Sequence, residues 1–268
     1  MRRGGTQAGF ALLIVVWSLV LLSFILAHVL SAGRSEVQLA RNLRIAAEAE
    51  PVADGAVQNT IFHLLDPSPR RWPLQGRHDI ALPGGIAAVE IENVAGKINP
   101  NAADEPLLDA MLTLCGASTT QVARVAQAIM AWRAPATPAD NLAAPYEAAG
   151  LGYAPPGAPF ETNEEVGMVL GMTPRLRACI LPHISIYQES ETPALPAADA
   201  FVVSALSLVA QQTGAANALT NGEDGDPTVT ITAMAVGRGG GRFTRRATIR
   251  LVPGRRGRPF RILSWQAL

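Results

Sequence analysis

The chain has 268 residues, 49% of them apolar, and its 22 basic and 22 acidic side chains cancel to a formal charge of zero. That balance excludes nucleic-acid binding through net charge alone, and the length suffices for one large or two small cores. The zero conceals a segregation: 99–226 holds fourteen acidic residues against four Arg, and 227–268 holds nine Arg and no acid. Each segment can therefore attract the other or steer a different partner. Arg outnumbers Lys 21 to 1, which reads as genomic base composition rather than a nucleic-acid signal.

From Phe10 to Ala32 the chain carries no charge. At about 1.5 Å of rise per residue this run covers about 35 Å as a helix, enough for a bilayer core of about 30 Å. The leader before it, MRRGGTQAG, has Arg2 and Arg3 as its only charges, so the positive-inside rule keeps that end cytoplasmic and places the chain beyond Arg34 on the far side. Leu30-Ser31-Ala32 is a poor signal-peptidase site. The other possible cut, between Gly9 and Phe10, removes only the basic leader and leaves the apolar helix in the mature chain. A plain signal anchor is the alternative.

Beyond the span, Val37, Ala40, Leu43, Ala47, Val57, Ile61 and Leu64 recur at helical spacing opposite Glu36, Arg41, Arg44, Glu48 and Asp54, which predicts a helix with one face on a sheet. Pro51 predicts a kink near Ala47, and Asp66-Pro67-Ser68-Pro69 an end. Asp79 to Pro83 and Ile86 to Val94 read as strands joined by Gly84-Gly85. Lys97 to Arg133 reads as a turn and two helices, with Leu107, Leu108, Met111, Leu112 and Leu114 on the first and Val122, Val125, Ile129 and Trp132 on the second. Ala102-Ala103-Asp104 with Leu107-Leu108 lines up with Ala197-Ala198-Asp199 and Val202-Val203, a faint internal repeat. The tail returns to strands at Thr228 to Val236, Arg242 to Val252 and Pro259 to Trp265, with Ala247, Ile249 and Leu251 on one face and Arg246, Thr248 and Arg250 on the other. They are expected to complete the sheet begun before the helical region.

The short basic leader, Gly9, Phe10 and the immediate apolar helix resemble a type IV pilin-like precursor. In that class a prepilin peptidase cuts after the Gly and methylates the new N-terminal Phe. Most such subunits carry Glu at the fifth mature position, where it pairs with the N-terminal amine of the preceding subunit; here that position is Ile14. A subunit without the carboxylate suits the first place in a filament, and the chain resembles the minor pseudopilin K family of type II secretion systems. The likeness continues through Trp132-Arg133, Tyr146, Gly150, Tyr153, Pro159-Phe160, Asn163-Glu164-Glu165-Val166 and Val169 to Met172. It ends at Leu181 to Tyr187, which resembles a strand leaving an inserted domain.

The resemblance implies an α+β, pilin-like fold with a large inserted all-α domain. The expected division is a cleaved leader at 1–9, a transmembrane helix at 10–33, its extracytoplasmic part at 34–66, first strands at 67–98, the helical insert at 99–223, and closing strands at 224–268. It further implies a non-enzymatic tip subunit that initiates the pseudopilus and supports export of folded proteins. The expected location is the inner membrane, single-pass, with the head periplasmic. Implied partners are minor pseudopilins of the I and J types, the major pseudopilin and prepilin peptidase, with the secreted substrate or outer-membrane secretin beyond. The alternatives are a minor pilin of a type IV pilus and a membrane-anchored DNA-binding protein; the acidic helical region opposes the last.

No cofactor is required, though acidic residues after the Trp help bind calcium in this family. Here Ala134-Pro135-Ala136 replaces the acidic step, leaving Asp140, Glu147, Glu164 and Glu165 as weaker oxygen donors against their reading as solvated surface. Cys115 and Cys179 are the only cysteines, and both a disulfide and two small buried hydrophobes fit their apolar settings. The four histidines have no metal-ligand spacing, and no nucleophile elbow or phosphate loop occurs.

Overall fold

In the computed structural model, residues 8–135, 141–213, 226–252 and 258–268 are described, with the side chains of α1 described at 12–28, 43–45 and 47–64. Helix α1 (Ala8–Leu64) runs without a break through Pro51. Strands β1 (Gly76–Leu82) and β2 (Gly85–Asn93) come next. After them lie α2 (Glu105–Leu114), α3 (Thr119–Arg133), α4 (Ala144–Ala148), α5 (Pro174–Ile180) and α6 (Ala200–Thr213). The chain closes with β3 (Thr228–Gly237), β4 (Arg242–Leu251) and β5 (Phe260–Ala267).

The five strands form one antiparallel sheet in the order β1-β2-β3-β4-β5. β2 and β3 are neighbours in space, Ile91 opposite Ile231, although all the helices after α1 lie between them in sequence. The helical region is thus an excursion out of one sheet. Alternation divides that sheet: Ala87, Val89, Ile91, Val229, Ile231, Ala233, Ala235, Ala247, Ile249 and Leu251 are buried against α1. Small residues on both sides, such as Ala53 and Ala56 on the helix and Ala233 and Ala235 on β3, let helix and sheet approach closely.

The buried face of α1 is Ala49, Val52, Ala53, Ala56, Val57, Thr60, Ile61 and Leu64. This corrects the sequence-based stripe: Leu43 and Ala47 are exposed, Leu43 because it precedes Ile45, where the sheet first meets the helix, and Ala47 because it lies off the buried face that begins at Ala49. The Gly237–Gly241 turn explains that limit. A side chain at Gly241 would overlap the carbonyl of Ile45, so the turn rests directly on helix backbone. Gly240, with φ 80°, adopts a left-handed conformation that favours glycine.

A second core lies among α2, α3, α5 and α6. Leu107, Leu108, Met111 and Leu112 meet Val125, Ile129, Trp132, Val202 and Leu206 there, while Leu114 faces outward at 38% exposure. Leu181 to Tyr187 is not a strand. It forms a 3-10 turn at Leu181–His183 and one parallel bridge, Ile98 with Ile184.

Candidate functional site

Three constructions set the position of the helical unit, the sheet and α1. On β4 the inward parity that buries Ala247 and Ile249 also turns Arg245 toward α1. Its guanidinium donates from Nε to Asp54 and from Nη2 to Glu50, each at 2.6 Å, and lies over the rings of Phe243 and Trp265. Burial would lower the Arg245 pKa, but Asp54 and Glu50 outweigh it and raise it. A cation held by two carboxylates and two rings ties the helix to the sheet.

The second construction is the junction where the chain leaves and re-enters the sheet. Lys97 Nζ donates to Glu92 and to the carbonyl of Pro182, and buried Asn99 donates to the carbonyl of Gln188. Gln188 donates to the carbonyl of Ala95. His183 Nδ1 lies 2.7 Å from Asp199 Oδ2, and the imidazole stacks on Phe201 at 4.1 Å. Asp199 Oδ1 accepts from the N–H groups of Phe201 and Val202, capping α6. Burial alone would raise the pKa of Asp199; the Val202 N–H, His183 and Lys97 together hold it below the ordinary carboxylate value. At Gly96 a side chain would overlap the backbone of Ala197 and Ala198.

The third is inside the helical unit. Asn101 exchanges two hydrogen bonds with the backbone of Phe160, and Phe160 stacks on Trp132 at 5.6 Å. Arg133 donates to the carbonyls of Pro100 and Ala103. Cys115 and Cys179 are joined by a disulfide across 64 residues, linking the end of α2 to α5.

Of the residues singled out by sequence, Gly9 and Phe10 lie on the backbone of α1, and Ile14 is exposed on it, its carbonyl accepting from the Ser18 hydroxyl. Among the described residues no helix is long and apolar enough to cross a membrane. Glu147 and Glu164 are exposed, and both Glu165 oxygens accept bonds, from the Glu161 N–H and the Thr162 hydroxyl. Asp140 lies outside the described residues. Among the described residues no three His, Cys, Asp or Glu side chains converge on a metal position. Sequence reasoning missed Arg245, whose odd number placed it on the inward face with Ala247, and His183–Asp199, whose partners only the fold brings together.

No curated protein matches the chain. Among solved structures it is similar to a chain of the GspK-GspI-GspJ complex from the enterotoxigenic Escherichia coli type 2 secretion system, with TM-score 0.59 and 17% identity, over 87% of this chain and 98% of that one. That likeness is one of fold: mixed helices and an antiparallel sheet. Residues 87–189, which run from β2 through α5 to the junction, match the family model for type II secretion system protein K.

Proposed function

We propose that the protein is a non-enzymatic minor pseudopilin that occupies the tip of the type II pseudopilus, starts its assembly and supports export of folded proteins. The observation that carries this reading is the helical unit set between β2 and β3 of a sheet packed on α1, an architecture similar to that in the GspK-GspI-GspJ complex. By that likeness the partners are minor pseudopilins of the I and J types, followed by the major pseudopilin. Within the same reading the uncharged run 10–32 anchors the mature chain in the inner membrane, and the head is periplasmic. A cut between Gly9 and Phe10 exposes the Phe10 amine for methylation, and Ile14 offers no carboxylate to a subunit ahead of it. Match to the protein K family favours this over a pilus adhesin.

The test is the mass of the mature N-terminal peptide after co-expression with a prepilin peptidase, for wild type and Gly9→Ala. A methylated Phe10 terminus that disappears in the variant is expected. An intact Met1 terminus, or a cut near Ala32, would sink the filament reading. Calcium is not required here; melting in calcium against chelator, for wild type and Asp140→Ala, shows whether it contributes.

A further inference from the structure

Between the outward face of the sheet and the helical unit lies a cleft of about 420 Å³. Its floor carries short polar side chains, Thr230 and Thr232 on β3 and Ser264 and Gln266 on β5, over Thr248 of β4, which is buried and shares a hydroxyl–hydroxyl bond with Thr230. Neighbouring strands lie about 4.8 Å apart and successive outward residues about 7 Å along a strand, so these groups form a lattice with the dimensions of a pyranose ring. A hydroxyl both donates and accepts, which suits a ligand whose groups do the same. The facing wall carries Asn163, Glu164 and Tyr187, with half-buried Ile186 giving it an apolar patch.

The charges in the cleft are largely cancelled. Glu90 is paired with Arg77 and Glu92 with Lys97. Among the described residues that leaves Arg246 on the floor and Glu164 on the wall, both exposed and in no ion pair. One unpaired charge of each sign gives the cleft no net charge, so it favours neither an anion nor a cation by monopole attraction. It does supply a guanidinium fork that can donate to two adjacent hydroxyls and a carboxylate that can accept from two others. An extended polypeptide is a poorer fit, because the floor is a sheet face and its backbone groups are already used within the ladder.

We propose that this cleft is a glycan-binding site that takes a short stretch of a neutral, unbranched pyranose chain. Arg246 and Glu164 grip hydroxyls from floor and wall, Thr232, Ser264 and Gln266 read the remainder, and Tyr187 with Ile186 receives the C–H face of the sugar. The site goes beyond the assembly role and does not depend on it.

The experiment is calorimetric titration of the full chain, in a detergent without a sugar headgroup, with chitotetraose and with maltotetraose. Saturable binding of at least one is expected, and the difference between them separates an N-acetylhexosamine chain from a plain glucose chain. Arg246→Ala, on the floor, and Glu164→Ala, on the facing wall, are each expected to weaken it about tenfold or more, the loss of one charge-assisted hydrogen bond. Arg242→Ala, on the same strand but outside the cleft, should leave it unchanged. Melting curves certify that each variant is folded. Saturation by neither sugar, or binding that survives both cleft variants at wild-type strength, overturns the proposal.

Discussion

Arg245 joins α1 to the sheet through Glu50 and Asp54 and is itself buried. Both carboxylates are partly exposed and can rehydrate, so Arg245→Ala is expected to cost roughly 2 kcal/mol, below the range for a fully buried pair, read as a fall in the denaturant midpoint. Asp199 sets a pH dependence. Its pKa is lowered in the fold from 3.8, so its contribution is complete above about pH 4 and is lost as the pH falls through the folded value. The melting temperature of wild type should therefore drop more steeply on acidification than that of Asp199→Asn. Asp109 has the opposite sign. Burial, then Glu105, raises its pKa, and its Oδ1 is buried with no hydrogen-bond partner among the described residues. Asp109→Asn should raise the melting temperature at neutral pH, and no change would show that the carboxylate is compensated.

Elements are held where glycine or a cross-link removes an obstacle. The 3-10 turn Val94–Gly96 meets the segment at Leu195–Ala197 so closely that Gly96→Ala drives a methyl into backbone, which cannot rotate away. A loss of about 2 kcal/mol is expected, with increased amide exchange in α6 as the local signature. The Cys115–Cys179 bond closes a loop of 64 residues, and the chain-entropy treatment gives about 4 kcal/mol for its removal. Cys115→Ala with Cys179→Ala should lower the midpoint by that order. Much of this level is open to a sequence reader. By residue type Asn101 or Asp104 can cap α2 and Ser118 or Thr119 can cap α3, and in the fold it is Asp104 and Ser118 whose side chains accept the N–H groups of Leu107 and Gln121. Leu181 to Tyr187, a strand by family resemblance, is instead a turn and a single bridge, with Pro182 and the contacts of Lys97 and Ile98 bending it.

At the scale of the molecule two separate cores divide the protein: one between α1 and the sheet, the other among the later helices. Only the second contains the disulfide. Reduction is thus expected to lower one calorimetric transition and leave the other in place, and a single transition moving as a whole would show that the junction couples both cores. The same division creates the cleft, since a sheet face with hydroxyls at regular spacing becomes concave only when the helical unit stands over it.

Local chemistry is what the sequence by itself determined: apolar runs and parity define helices and strands, and short polar side chains before an apolar run mark helix starts, because these effects act within a few residues. The parity of Ala247, Ile249 and Leu251 even separates the two faces of β4. Tertiary structure alone decided which faces are covered. Thr248 has outward parity yet is 5% exposed, and Leu43 fits the helical stripe yet is 63% exposed. Burial depends on what another part of the chain places there, and the contacts of Arg245 with Asp54, His183 with Asp199 and Asn101 with Phe160 join residues that no local pattern relates.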